Sequence, residues 1–455
     1  MIRLAWTLVR AGGWPRALLL AACTAVVTAL LLVVIAYLEL PVDPDEWLMS
    51  VVADSGTRGG AAGGALMLTL PPLLLLHQVV RFGTAARERR LAALRLAGAT
   101  PAEVRLLGAI EVGIPSAVGA LLGVLLFWLL RAVAGGVRHD DVRTPAMYYA
   151  HVRRLFGGAH LVPTTVAPPA WAYVAVVVGV ALLGVAVGLF ATRAVVATPL
   201  GLVRRARRRA PRPWGLVLIV LAIVLATGYT SAGWYDRMDD SEDQIFGVVL
   251  VAMALIGLMS LAPWLAWLTG RVAAARASSV AVVLGARRLV HDPRPAGRAA
   301  AAAGGIGLVA GGWAVFVADV SGDSEGYAGP LALVALALLA ALVVVVGSLA
   351  VHSVEQVLDR RPSIAALAAM GTPRSVVAAS QRWELGLVAI PIATIGALAG
   401  AVFMASIEWH PGTATALVGA PLVTGALVWL AVVISVWLVG PATRHVTDVT
   451  HLRAE

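Results

Sequence analysis

Glu111 and Glu384 stand at matching places in two copies of one stretch, each near the start of an apolar segment. Residues 91–113 read LAALRLAGATPAEVRLLGAIEVG and residues 364–386 read IAALAAMGTPRSVVAASQRWELG. An ungapped offset of 273 aligns Ala92 with Ala365, Leu94 with Leu367, Gly98 with Gly371, Val104 with Val377 and Glu111 with Glu384. A carboxylate at the edge of a membrane span is costly unless it is paired or solvated. Either each acid faces water or a nearby arginine at the interface, or each closes a charge pair with an arginine of the adjoining stalk, such as Arg95 or Arg382, and stiffens that stalk.

The other residues that could carry chemistry point to less. His139, Asp140, Asp141, His151 and His160 share one hydrophilic stretch, but no pair has compact ligand spacing, so a solvated loop is favoured over a metal site. His77 and His352 fall near the ends of apolar spans, where packing is favoured over proton relay. Cys23 is the single cysteine, which excludes an intrachain disulfide, a CxxC redox site and a cysteine-based zinc site. All 35 basic residues are arginine. Without lysine there is no GxxxxGK[ST] loop, so any ATP and Mg2+ must be held by another polypeptide. No catalytic residue, metal or cofactor is expected in this chain.

The element that positions the two acids is a helix, a sharp turn and a second helix. Gly98 suits the left-handed position just past a helix end. Thr100-Pro101-Ala102-Glu103 has the form of a capping box, with Thr100 as N-cap, Pro101 at the first helical position and Glu103 reaching back. In the second copy Gly371 is followed at once by Thr372-Pro373, and Ser375 stands where the capping glutamate would be. Both copies read as helix, turn, helix, with the first better capped.

Composition places this element at a membrane. The chain has 455 residues, 60% hydrophobic and 13% charged, well above the roughly 45–50% apolar content of a soluble domain. The net charge of +10 would suit nucleic acid, but the arginines lie between apolar runs long enough to span a bilayer, and topology explains them better. Ten spans are expected, at about 17–39, 60–81, 108–130, 170–193, 213–232, 245–269, 299–318, 330–352, 382–404 and 420–440. The first is too long for a signal-peptide core and is read as retained. With both termini cytoplasmic, the inner segments hold 28 arginines and 9 acids and the outer ones 7 and 16. That is the asymmetry of the positive-inside rule. Trp171, Tyr173, Trp214, Tyr229, Trp234, Trp264 and Trp267 sit near span ends as interfacial anchors.

The duplication extends beyond the central element. Residues 4–16 and 285–298 are short amphipathic stretches that break at Gly or Pro before an apolar helix, suited to lie in the cytoplasmic interface. GALLG at 119–123 corresponds to GALAG at 396–400, and Ala191-Thr192-Arg193 to Ala442-Thr443-Arg444. The expected fold is all-α and polytopic: a first four-span unit over 1–212, a two-span linker over 213–270 and a second four-span unit over 271–455. Both quartets start on the cytoplasmic side, which makes them parallel repeats. Pro71-Pro72 removes two backbone donors and should kink span two, whereas span eight has no proline. The basic run Arg204 to Arg209 suits anionic lipid, with nucleic acid a poor alternative.

Two four-span units, each with an interfacial N-terminal helix, a span running into RERRLAALRLAGATPAEV or RRPSIAALAAMGTPRSV, and a glutamate opening the next span, resemble FtsX-like permeases. These are the membrane subunits of MacB-type, or type VII, ABC transporters; the ten-span plan is similar to the BceB-type permeases of Gram-positive bacteria. The resemblance implies a bacterial plasma-membrane protein and two copies of a separate cytoplasmic ATPase. It also implies a coupling contact at Gly98, Ala99, Thr100, Pro101, Ala102, Glu103 and Val104, and at Gly371, Thr372, Pro373, Arg374, Ser375, Val376 and Val377. Many relatives carry a large extracellular domain between the first two spans of a unit. Here only residues 40–59 and 319–329 stand there, which argues against a tall periplasmic clamp. The longest outer loop instead joins spans three and four, where AMYYAHVRRLF can form a surface helix.

The implied function is the membrane subunit of an ATP-driven exporter of a hydrophobic or amphiphilic molecule: a peptide, an antibiotic or a lipid. The alternative is a mechanotransmission protein that drives a cell-wall hydrolase or a sensor kinase without moving cargo. A secondary transporter is less favoured, because carboxylates are almost absent from span centres. Expected partners are the ATPase pair, membrane lipids, and a sensor kinase or an extracellular protein, with no nucleic acid.

Overall fold

Long runs of leucine, valine and alanine without charges must satisfy their backbone groups internally when they leave water, and the helix is the local way to do so. The computed structural model describes residues 14–41, 98–134, 162–197 apart from 165, 210–233, 240–320, 324–407 and 412–446, with isolated positions between 52 and 80. Among the described residues there are eleven helices and no sheet. They are α1 (Trp14–Leu38), α2 (Pro101–Ala134), α3 (Ala170–Ala197), α4 (Trp214–Ser231), α5 (Asp240–Arg276), α6 (Val280–His291), α7 (Pro293–Val320), α8 (Ser324–Asp359), α9 (Arg361–Ala369), α10 (Arg374–Ile407) and α11 (Thr413–Val446).

Nine of these are long and apolar enough to cross a membrane. They match nine of the ten expected spans, and the chain is an all-α polytopic membrane protein. Span two falls mostly outside the described residues. Within it Thr69 is a turn, donating from its N–H to Leu66 O at 3.0 Å and from its hydroxyl to the same carbonyl at 2.6 Å, just ahead of Pro71-Pro72. The amphipathic stretch 4–13, the outer loop with its histidines and its surface helix, His77, and the run Arg204 to Arg209 lie outside the described residues.

The chain divides into two compact units, one of Met1–Arg207 with Gly326–Leu333 and one of Arg208–Glu325 with Val334–Glu455. In the first, α2 packs against α1 and α3. A core of Leu32, Ala36, Tyr37, Leu40, Val52 and Phe127 fills the end of this unit away from the Gly98 turn. Leu121, Leu125 and Leu129, one helical turn apart on α2, are exposed, as expected of a face turned to lipid. In the second unit α10 runs along α7 and α11, α5 packs on α7, α4 on α5, and α6 is held between α5 and α10. Spans five and six therefore belong to this unit's packing.

Glycine explains how closely the spans approach. A Cβ at Gly119 would strike Ala21 and Thr24 of α1, and one at Gly123 would meet Ala25 O and Thr28. In the second unit, Cβ atoms at Gly396 and Gly400 would strike the backbone at Gly304 and Leu308 of α7, while Gly307 and Gly311 of α7 are closed in by Ala393 and Ala397. The repeated GALLG and GALAG thus do the same work in each half: they seat the third span of a quartet on its first at near backbone contact, the small-residue packing of membrane helices.

Candidate functional site

The two turns are built alike. Among the described residues no non-glycine residue has positive φ, and Gly98 (φ +98°) and Gly371 (φ +83°) take it where each turn reverses the chain. Neither would meet a neighbour if it carried a Cβ. Backbone conformation, not space, selects glycine at both.

The first turn has the expected capping box. Thr100 N–H donates to Glu103 Oε2 at 2.8 Å, the Thr100 hydroxyl donates to the same oxygen at 3.0 Å, and Glu103 N–H donates to Thr100 Oγ1 at 3.3 Å. The second turn is closed from the other side: Thr372 N–H donates to Leu367 O at 3.0 Å, the long bond of a Schellman motif. Helix α10 then starts at Arg374, 273 residues after Pro101 starts α2.

Exposure also repeats in register. Gly98, Thr100, Pro101, Ala102 and Glu103 are exposed, Ala99 is half-buried and Val104 is fully buried. Gly371, Pro373, Arg374 and Ser375 are exposed, Thr372 and Val376 are half-buried and Val377 is buried. Each turn is therefore a projecting knuckle pinned by one valine. Met370, 74% exposed, widens the apolar surface of the second.

Behind the second knuckle lies a buried charge cluster. Glu384 on α10 is 2% exposed. Its Oε2 is 3.1 Å from Arg360 Nη1 and 3.5 Å from Arg288 Nη1, and its Oε1 accepts from Gln356 Nε2 at 2.7 Å. Gln356 Nε2 also lies 2.8 Å from His352 Nε2. With the amide nitrogen donating to both, His352 accepts through Nε2 and keeps its proton on Nδ1. His352, Gln356 and Arg360 are spaced by four along one face of the α8 stalk. Arg360 sits where α8 gives way to α9, and its carbonyl accepts from Ile364 N–H and from the Ser363 hydroxyl.

The third arm is α6. One of its faces, Ala281, Gly285, Ala286 and Leu289, is buried. A Cβ at Gly285 would come within 2.7 Å of Ser380 O and 3.0 Å of Glu384 N. That close approach brings Arg288 to Glu384 and to Ser380 Oγ at 3.3 Å. Burial pushes the Arg288 guanidinium below its ordinary value, and the Glu384 carboxylate acts in the opposite direction. One carboxylate thus joins three elements: the stalk α8, the amphipathic helix α6 and the base of α10.

The expected partner of Glu384 is corrected by this geometry. Arg382 is half-buried on α10, two residues away and hence on another side of the helix; Arg360 and Arg288 provide the charges. Glu111 is half-buried near the base of α2, and Arg95 lies outside the described residues. Arg288, Gln356 and Arg360 were not singled out from sequence, although a His-Gln-Arg series at intervals of four on a stalk was a readable signal.

The family model described as FtsX-like permease C-terminal matches residues 64–200, a stretch that includes the first knuckle, α2 and α3. No curated protein and no solved structure matches the chain.

Proposed function

We propose that the chain is the membrane permease component of an ABC-type system, as the match of residues 64–200 to the FtsX-like permease model supports, and that its two knuckles are the docking points of two copies of a cytoplasmic ABC ATPase. The observation that carries this reading is the repeat of one exposed, glycine-reversed, valine-pinned turn in the same register at 98–104 and 371–377. A turn needed only to join helices has no reason to repeat its exposed surface. In this reading Glu111 and Glu384 brace the stalks behind the knuckles, ATP and Mg2+ belong to the partner, and both termini are cytoplasmic.

ATP-driven closure of the partner moves both knuckles together. The charge cluster at Glu384 passes the movement to α6, α8 and α10 at once, and the spans shift to expel a hydrophobic or amphiphilic molecule. Lipid-like cargo is supported by the span centres, which among the described residues carry almost no charge.

The test is reconstitution of the full chain in proteoliposomes with the cognate ATPase. Stimulated hydrolysis that drops when Pro101 and Arg374 are replaced by aspartate is expected. No co-purifying ATPase and no stimulation would sink the proposal. Stimulation without movement of any amphiphile would favour mechanotransmission to a cell-wall hydrolase or sensor kinase.

A further inference from the structure

We propose that the end of the first unit remote from its knuckle is a binding site for an anionic lipid, with Arg131 and Tyr173 holding the headgroup phosphate. Arg131 lies thirty residues beyond Pro101 on α2, about 45 Å along the helix and so at the opposite end of the span. It is only 9% exposed. One edge of its guanidinium donates from Nη2 to Thr164 O, and its central carbon lies 5.0 Å from the centroid of the Trp128 ring. Trp128 stacks on Tyr173 at 6.4 Å and 4°, and Phe127 meets both rings edge-on.

Two strong donors are left over in this aromatic nest. Nη1 of Arg131 and the hydroxyl of Tyr173 are both buried, and neither has a hydrogen-bond partner. A neutral carbonyl and ring faces hold the guanidinium but bring no counter-charge. A buried cation with an open N–H edge beside a free phenol calls for an oxyanion that accepts from both. Phosphate has the charge and the number of acceptor oxygens.

The surroundings select a lipid over a free ion. Arg131 lies over the ring of Trp128, and Trp128, 48% exposed, continues into exposed Leu125 and Leu121 along one face of α2 toward the middle of the span. That apolar track begins at the ring beside Arg131 and has the chemistry to receive an acyl chain whose headgroup sits there. The proposal needs α2 and α3 to span the membrane but does not need the ATPase, so loss of the docking reading leaves it standing.

Native mass spectrometry of the delipidated full chain tests it, with phosphatidylglycerol, phosphatidylcholine and inorganic phosphate as probes. Wild type should retain phosphatidylglycerol over phosphatidylcholine. Arg131→Gln should weaken that retention about tenfold or more, the loss of a charge-assisted contact. Tyr173→Phe removes only a hydroxyl that has no partner within the protein, so the fold is kept, and retention should fall about fivefold. Equal retention of phosphatidylglycerol by wild type and both variants overturns the proposal. Retention of inorganic phosphate in preference to the lipid, abolished by Arg131→Gln, overturns the lipid assignment.

Discussion

Arg360 and Glu384 clasp the two arms of the second knuckle, guanidinium on the stalk side and carboxylate on the span side, 3.1 Å apart. The pair spans the turn that it stabilises. Removing one partner from a buried pair is far worse than removing both. Glu384→Gln should therefore destabilise the protein by about 2 kcal/mol, less than a fully buried pair would lose because Arg360 and Arg288 keep partial exposure. Arg360→Gln in the Glu384→Gln background should add little. Additive losses in a double-mutant cycle, read by thermal melting in detergent, would show that the clasp is incidental.

The capping box at the first knuckle predicts a local effect. Thr100→Ala should cost about 1 kcal/mol at the start of α2 and speed hydrogen exchange in its first turn. Ser375→Ala at the second knuckle should change little, since that turn is closed by a backbone bond from Thr372. Equal responses at the two knuckles would contradict this division.

Gly98 and Gly371 answer to backbone conformation. Alanine at either position should cost about 1 kcal/mol or more, and asparagine less, because it tolerates left-handed φ. Neither site is crowded, so size among β-branched and unbranched residues should matter less than the φ penalty. A melting series ordered by side-chain volume alone would refute that account.

The glycine seam predicts the opposite ordering. At Gly396 and Gly400 even alanine would drive a methyl group into α7 backbone, so Gly400→Ala should destabilise by about 1–3 kcal/mol through overpacking, and valine by more. Gly179 and Gly247, open on every side, serve as controls that should accept alanine. Tolerance of Gly400→Val without loss of melting temperature would count against backbone contact.

Much of this was readable in the residues, because membrane spans, helix caps and glycine turns are written in short local patterns. Thr100 and Glu103 are three positions apart, and Gly98 marks a turn on its own. The partners of Glu384 were not local. Arg288 reaches it from α6 because Gly285 lets two backbones meet, and Arg360 reaches it across the turn; proximity in sequence pointed instead to Arg382, which helix geometry sends elsewhere. GALLG and GALAG were visible as a repeat, but only packing shows which helix they face. Pro115 and Pro391 each lie inside the third span of their quartet, but their offset of 276 equals neither the 273 of the knuckles nor the 277 of GALLG and GALAG, so no fixed offset pairs them.

The glycine seam has a mechanical consequence. Two helices whose backbones touch have few flexible side chains between them to absorb strain, so over residues 392–400, just past Pro391, α10 is splinted to α7 and the two move together. With 34 residues, α10 is about 50 Å long. A tilt of about 5° imposed at Arg374 would carry its far end through roughly 4 Å, about the width of a hydrocarbon chain. A small rotation imposed at one membrane face becomes, at the other, a displacement of several ångströms.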